Sequence, residues 1–394
     1  MIESYLNAAI RQAQERAKVL KGKISQPVEH RELIALRQTC EDRIDQAIRD
    51  LELLLTDPVI VRADLIHERI RLFRRSLADL SLLETTAIAA LTRFQEDDLA
   101  LSKLVFQIHQ EVNYPLPPPT VTCLSREYFS INTSLRLLEV PLAESDFLLH
   151  LPDLYHEIAH PLVTTRNNPS IEPYQTEYGK FLVLVTRQYD AERAANLRST
   201  GPREYFGQAL DLLEYSWIRG WANELFSDLF AVYTLGPAYA WAHFHLTASR
   251  NVDPYEIHFP SIMSHPPDQA RMETMLIGLD LLGIKEEAAQ IQRRWEALIK
   301  ATGVKPTAMY RRACPWELLR KAAINALEGT QRIGCRIARD GSASPIRDLL
   351  NSAWQKFWTA PSEYHAWERE AIADLKRGVE AHRFAPRLAS GARD

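Results

Sequence analysis

Residues 154–163 read LYHEIAHPLV, and the fold turns on whether His156 and His160 share a metal ion or merely occupy a helix. Residues four apart on an α-helix are surface neighbours, with Cβ atoms about 5–6 Å apart. Two imidazoles at that spacing can converge on one zinc ion, at Zn–N distances of about 2.0–2.1 Å. Glu157 is turned about 100° from His156, so its carboxylate lies beside such an ion and can reach a water there. A chain with 12 histidines also meets this pattern by chance, and HERIR at His67–Arg71 has only its first half. Pro161 directly follows His160 and disfavours helical geometry there, so the helix should kink or end early.

A hydrolytic zinc centre needs three protein ligands and one open position. Residues 221–230 read WANELFSDLF. Glu224 and Asp228 are four apart on a strongly apolar helix, so both point to one side. Two carboxylates there are costly to bury without compensation. A cation compensates if Glu224 binds it and Asp228 accepts the free ring N–H of a ligating histidine. Pairing with arginines such as Arg219 is the competing explanation. Residues 264–272, SHPPDQARM, supply His265 and Arg271 as donors to a developing oxyanion; a surface loop entering a helix explains the same residues more plainly.

In that order, HExxH, ExxxD some sixty residues later and HPxxxxR resemble the gluzincin zinc metallopeptidases, and most of all the group that holds the CAAX prenyl proteases and the HtpX-like proteases. The likeness covers about residues 120–284. It implies a zincin-like metalloprotease core with His156, His160 and Glu224 as Zn2+ ligands and Glu157 as general base. Asp228 then supports a ligating histidine, and His265 and Arg271 assist the transition state. It also implies that the strands before HEIAH form a small sheet whose edge aligns an extended peptide. The membrane members of the group carry transmembrane helices. Here the one uncharged stretch, residues 229–249, is interrupted by Gly236-Pro237 and reads as two buried helices.

Outward from this core the chain is helical. Leu6, Ile10, Ala13, Ala17 and Leu20, with Ile2, Tyr5 and Ala9, recur at three and four and draw an apolar stripe. Ile34, Ile44, Ile48, Leu51 and Leu55 continue it, and Leu65–Phe94 is a third helical stretch. NYPLPPPT at 113–120 stops helix formation. TVTCLS and YFSINTSLRLLEVPL beyond it read as two or three short strands. After residue 176 helices return, with a second linker at 301–307. The fold expected is mainly α with a small β-sheet: an N-terminal helical domain (1–115), the metallopeptidase core (116–284) and a C-terminal helical region (285–394).

Composition sets the outer limits. A net charge of −4 over 394 residues gives no reason to expect nucleic acid or an anionic membrane as partner. Four widely spaced cysteines with no CxxC pair argue against a cysteine zinc cluster, and fit reduced thiols and a cytoplasmic location. His243 and His245 are two apart within a helix and are not expected to share a ligand. Trp217 and Trp221 read as core. The function expected is zinc-dependent hydrolysis of a protein or peptide substrate, with the helical flanks open to a protein partner. The alternatives are a helical scaffold with a structural or inactive zinc site, and a zinc hydrolase of a non-peptide substrate.

Overall fold

Prolines 115, 117, 118 and 119 remove backbone donors and fix φ, and the helix before them stops at Val112. In the computed structural model the residues described are 2–24, 30–125, 128–198, 203–250, 253–257, 261–339, 341 and 343–381. The protein is mainly α with one small β-sheet. It forms two compact units: Met1–Lys103 with Pro119–Leu142, and Leu104–Pro118 with Ala143–Asp394. This differs from the three segments expected. The strands group with the N-terminal helices, and the last helices group with the histidines.

The first unit contains α1 (Ile2–Ile24), α2 (Ile34–Thr56), α3 (Ile66–Leu83), a π-turn at Glu84–Ile88 and α4 (Ala89–Thr92). The expected stripe is its core: Leu6, Ile10, Ala13, Ala17 and Leu20 are buried with Cys40, Ile44 and Leu51. Ile2, Tyr5 and Ile34 are exposed instead: Ile2 lies at the very start of α1, and the buried face is taken by Leu6 beside Tyr5 and by Leu33 and Leu36 around Ile34. Strands β1 (Thr120–Thr122), β2 (Ser130–Asn132) and β3 (Leu137–Glu139) follow the proline run. β3 is central, parallel to β1 and antiparallel to β2, with Leu138 opposite both Val121 and Ile131. α5 (Glu96–Val112) carries the chain from the first unit into the second.

The second unit holds α6 (Asp153–Glu157), α7 (His160–Thr164), α8 (Glu172–Arg198), α9 (Arg203–Ser216), α10 (Ala222–Leu235) and α11 (Pro237–Ser249). Next come α12 (Asp268–Leu281), α13 (Lys285–Thr302), α14 (Ala308–Ala313), α15 (Trp316–Arg332), α16 (Pro345–Thr359) and α17 (Pro361–Ala381). α15 packs on α8, α10 and α12, and α10 packs on α6 and α12. α8 starts at Glu172, four residues before the sequence suggests. Pro173 occupies its first turn, where the missing N–H costs nothing, rather than breaking it.

α10 is buried at nearly every position, as expected of a helix with apolar residues all round it. Gly236 ends it with φ 94° and ψ −150°, a conformation open essentially to glycine alone. Pro237 starts α11. The Asn351 side chain bridges the corner, donating to the Leu235 carbonyl at 2.9 Å and accepting from the Ala238 N–H at 3.0 Å. Residues 229–249 are therefore two helices about a corner, and no described helix is long and apolar enough to cross a membrane. Trp217 and Trp221 are fully buried core residues.

His109 on α5 shows how this packing responds to acid. Its ring is buried, with Nδ1 2.8 Å from the Val105 carbonyl and no partner on Nε2. Burial holds its pKa down to about 4, against the upward pull of that carbonyl. Between about pH 6.5 and 4 the unfolded chain binds a proton that the folded chain refuses, so stability falls as pH falls. The loss approaches about 3 kcal/mol at pH 4. His109→Leu should flatten the urea stability profile over that window; an unchanged pH slope would show that the ring is not the acid-labile group.

Candidate metal centre

α6 ends at Glu157, and α7 begins at His160. Pro161 is the reason. It has no N–H to give the Glu157 carbonyl, and its ring crowds the carbonyl four residues back. The chain passes the gap on tighter bonds, Ala159 N–H to the His156 carbonyl at 3.0 Å and Leu162 N–H to the Ala159 carbonyl at 2.9 Å. The Ile158 carbonyl, which a regular helix would pair with Leu162, instead accepts the Tyr114 hydroxyl. The expected kink is present, and the two histidines still face each other across it.

Their Nε2 atoms are 3.2 Å apart. Glu224, from the first turn of α10, brings Oε2 to 3.3 Å from His156 Nε2 and Oε1 to 3.9 Å from His160 Nε2. Ligands about 2.0–2.1 Å from one tetrahedral ion lie about 3.3–3.4 Å from each other. The two imidazole nitrogens, and His156 with Glu224 Oε2, stand at close to that ligand–ligand spacing, while His160 is about half an ångström further from the carboxylate. Glu157 completes the cluster: one oxygen and the two imidazole nitrogens all lie within 4.8 Å of one another. His156, Glu157 and Glu224 are 5%, 7% and 9% exposed, so charge here is largely shielded from water. Nitrogen and carboxylate donors without thiolate suit zinc and its first-row neighbours. The residues fit such an ion.

Behind His156 stands a second layer. Asp228 Oδ1 is 2.8 Å from His156 Nδ1 and accepts the Tyr239 hydroxyl. Arg271 grips Asp228 in a fork, Nε to Oδ2 at 2.8 Å and Nη2 to Oδ1 at 2.6 Å, and Nη2 also reaches the Tyr239 oxygen at 3.2 Å. Burial alone would raise the Asp228 pKa, but Arg271 and then His156 hold it well below the usual carboxylate range. An ionised acceptor at Nδ1 fixes a proton there and orients Nε2 toward Glu224. In the metal-free centre burial resists charging the ring. Hydrogen bonds to Asp228 and Glu224 outweigh it and push the His156 pKa up to about 10. The same contact, working against burial, brings Glu224 down to about 2.

His160 is held differently. Its Nδ1 lies 3.0 Å from Asn223 Nδ2 and 3.3 Å from Ser227 Oγ, and burial followed by repulsion from His156 lowers its pKa to about 4. Asn223 Oδ1 is buried without a partner. Turning that amide by 180°, which exchanges two nearly indistinguishable atoms, would let Oδ1 accept Nδ1–H and free the Nε2 lone pair. Burial pushes Glu157 up to about 7, with His156 opposing, which suits a group that takes and returns protons near neutrality.

The residues singled out from sequence fall into three groups. His156, Glu157, His160 and Glu224 are brought together, and Asp228 lies where a support for His156 belongs. His265 stands at the rim, its side chain 62% exposed and its Nε2 3.6 Å from Glu224 Oε2. Arg271 is elsewhere than expected: its nitrogens go to Asp228 and Tyr239 on the Nδ1 side of His156, so it braces the centre and does not face an oxyanion. The carboxylate–arginine pairing considered for this helix exists, but with Arg271 rather than Arg219. His243 and His245 stay out of the cluster. His243 is buried with Nε2 3.2 Å from the Asp268 carbonyl, and His245 lies against His150 and Trp354.

Tyr239, Asn223 and Ser227 were not found from sequence. For two of them a signal exists: Asn223 and Ser227 precede Glu224 and Asp228 by one residue each, at the same spacing of four. Tyr239 gives none, since it reaches the centre only through the Gly236 corner. No protein-family model, curated protein or solved structure matches the chain, so what this centre does has to be read from its own atoms.

Proposed function

We propose that this protein is a zinc-dependent metallopeptidase of gluzincin type, cleaving peptide bonds with Glu157 as general base. One observation carries the reading: a carboxylate remote in sequence, Glu224, comes within 3.3 Å of one imidazole and 3.9 Å of the other, with a second buried carboxylate beside them. His156, His160 and Glu224 would hold the ion, which would supply a Lewis acid and make nearby water acidic at neutral pH.

The chain's own groups do the rest. Glu157 takes a proton from water and passes it to the leaving amine, a role suited to a pKa of about 7. His265, exposed beside Glu224, donates to the oxygen of the scissile carbonyl as it gains charge. Asp228, Tyr239 and Arg271 hold the His156 ring in one orientation. Three ligands with a base beside them also distinguish the centre from a structural zinc site, which closes with four ligands and is usually rich in cysteine. All four cysteines are buried, and their wide spacing suits the reduced thiols of a cytoplasmic protein.

The test is zinc content together with hydrolysis of an unstructured protein. The wild type should bind one zinc and cleave; a chelator should stop cleavage and added zinc restore it. His156→Ala and Glu224→Ala should lose the metal. Full zinc occupancy in Glu224→Ala, or cleavage unaffected by chelator, would overturn the assignment.

A further inference from the structure

α9 and α10 are joined without a loop. The five residues Trp217–Trp221 between them form a π-turn, a widened turn that is uncommon and recurs at functional sites. Gly220 lies within it, one turn before Glu224. A Cβ on Gly220 would fall 2.3 Å from the Ser264 carbonyl oxygen and 3.0 Å from Ser264 Cα. The backbone of the segment carrying His265 therefore rests directly on the backbone of the helix. Glycine is needed here for space, to let another backbone approach.

Next to that contact, Ser216 makes a clamp. Its Oγ donates to the Leu212 carbonyl at 2.9 Å and accepts the Met263 N–H at 3.2 Å. On the other side of His265, Pro266 and Pro267 are buried, and the Pro267 carbonyl takes the N–H groups of Ala270 and Arg271. His265 itself is exposed and bonds only at short range, Nδ1 to Ser264 Oγ at 2.8 Å. Nothing about its own burial holds it over Glu224. What holds it is register: Ser264 sits on Gly220, and the next residue sits on Glu224, four positions along the same helix.

We infer that the π-turn is a seat that delivers His265 to the metal centre, with Gly220 and Ser216 as positioning residues. The seat is geometry of the chain, but its purpose rests on the peptidase reading. An added methyl at Gly220 must push the Ser264 carbonyl out to ordinary contact distance, and His265 moves off Glu224 with it. Ser216→Ala removes the clamp without adding bulk and should loosen the same segment by a smaller amount.

The experiment is nuclear magnetic resonance of the histidine rings in the metal-free, full-length protein, with His265 assigned by His265→Gln. In the wild type, Glu224→Gln should shift the His265 ring signals, because the two groups touch. In a Gly220→Ala background the same change should leave them in place, and in a Ser216→Ala background the response should be reduced. If Gly220→Ala does not fold, a nuclear Overhauser contact between the Gly220 and Ser264 α-protons of the wild type tests the seat directly. A His265 response to Glu224→Gln that survives intact in folded Gly220→Ala, or no Gly220–Ser264 contact, would overturn the proposal. No metal or turnover enters these spectra, so their outcome is independent of the peptidase assignment. Where cleavage is found, Gly220→Ala should retain zinc and lower kcat about 10²-fold, as expected for loss of one oxyanion donor.

Discussion

Glu157→Gln should lower hydrolysis by about 10²–10⁴-fold, the usual share of a general base, while zinc stays bound at one per chain. Glutamine fills the same space but cannot accept a proton. The proposed ligands are His156, His160 and Glu224, whose contacts with one another do not involve Glu157, so the binding set should be untouched. Stability should move the other way from activity. Burial raises the Glu157 pKa from 4.5 to about 7, so between those values the folded chain binds more proton than the unfolded one. In that window stability falls as pH rises, and above it the buried charge remains a burden. The metal-free Glu157→Gln protein should therefore melt higher than the wild type at pH 8. A variant that cleaves normally would remove Glu157 from the chemistry, and one that loses its zinc would make it a ligand.

Arg271→Met should destabilise the fold by about 3 kcal/mol, the lower end of the cost of breaking a buried ion pair, because His156 and Tyr239 remain on Asp228. Asp228 has no exposed surface and Arg271 is 7% exposed, so water cannot replace the fork between them. The double variant Asp228→Asn/Arg271→Met should recover much of the loss, because no uncompensated charge remains. It should not recover metal affinity: His156 would have lost the ionised acceptor at Nδ1, and zinc binding should weaken about 10- to 100-fold. Urea unfolding of the metal-free proteins beside zinc titrations would separate the two effects. A single variant as stable as the wild type would mean that His156 and Tyr239 alone compensate the buried Asp228 charge.

Much of the centre was legible because helical spacing is a local rule. HEIAH places its imidazoles, and NELFSD places its carboxylates, before anything is known of the tertiary structure. That Glu224 meets His156 is not local. It followed from charge on an apolar helix, a group that burial forces to find a partner. The pairing of Arg271 with Asp228 meets the same limit: sequence shows that a buried Asp228 needs a cation, but not which one. The proline run was read correctly, since loss of donors needs no partner to take effect. The grouping of β1, β2 and β3 with the N-terminal helices was not, because only long-range contacts decide which core a short strand joins.

The corner at Gly236 has one more consequence. Asp228 and Tyr239 belong to successive helices, and a single residue separates those helices. Interhelical connections usually tolerate insertions, but this one sets the phase of everything after it. One added residue would rotate the following helix by about 100°, carrying the Tyr239 phenol away from the Asp228 oxygen and the His156 imidazole it now joins. Length at this connection is therefore a property of the candidate metal centre, although none of its atoms lies there.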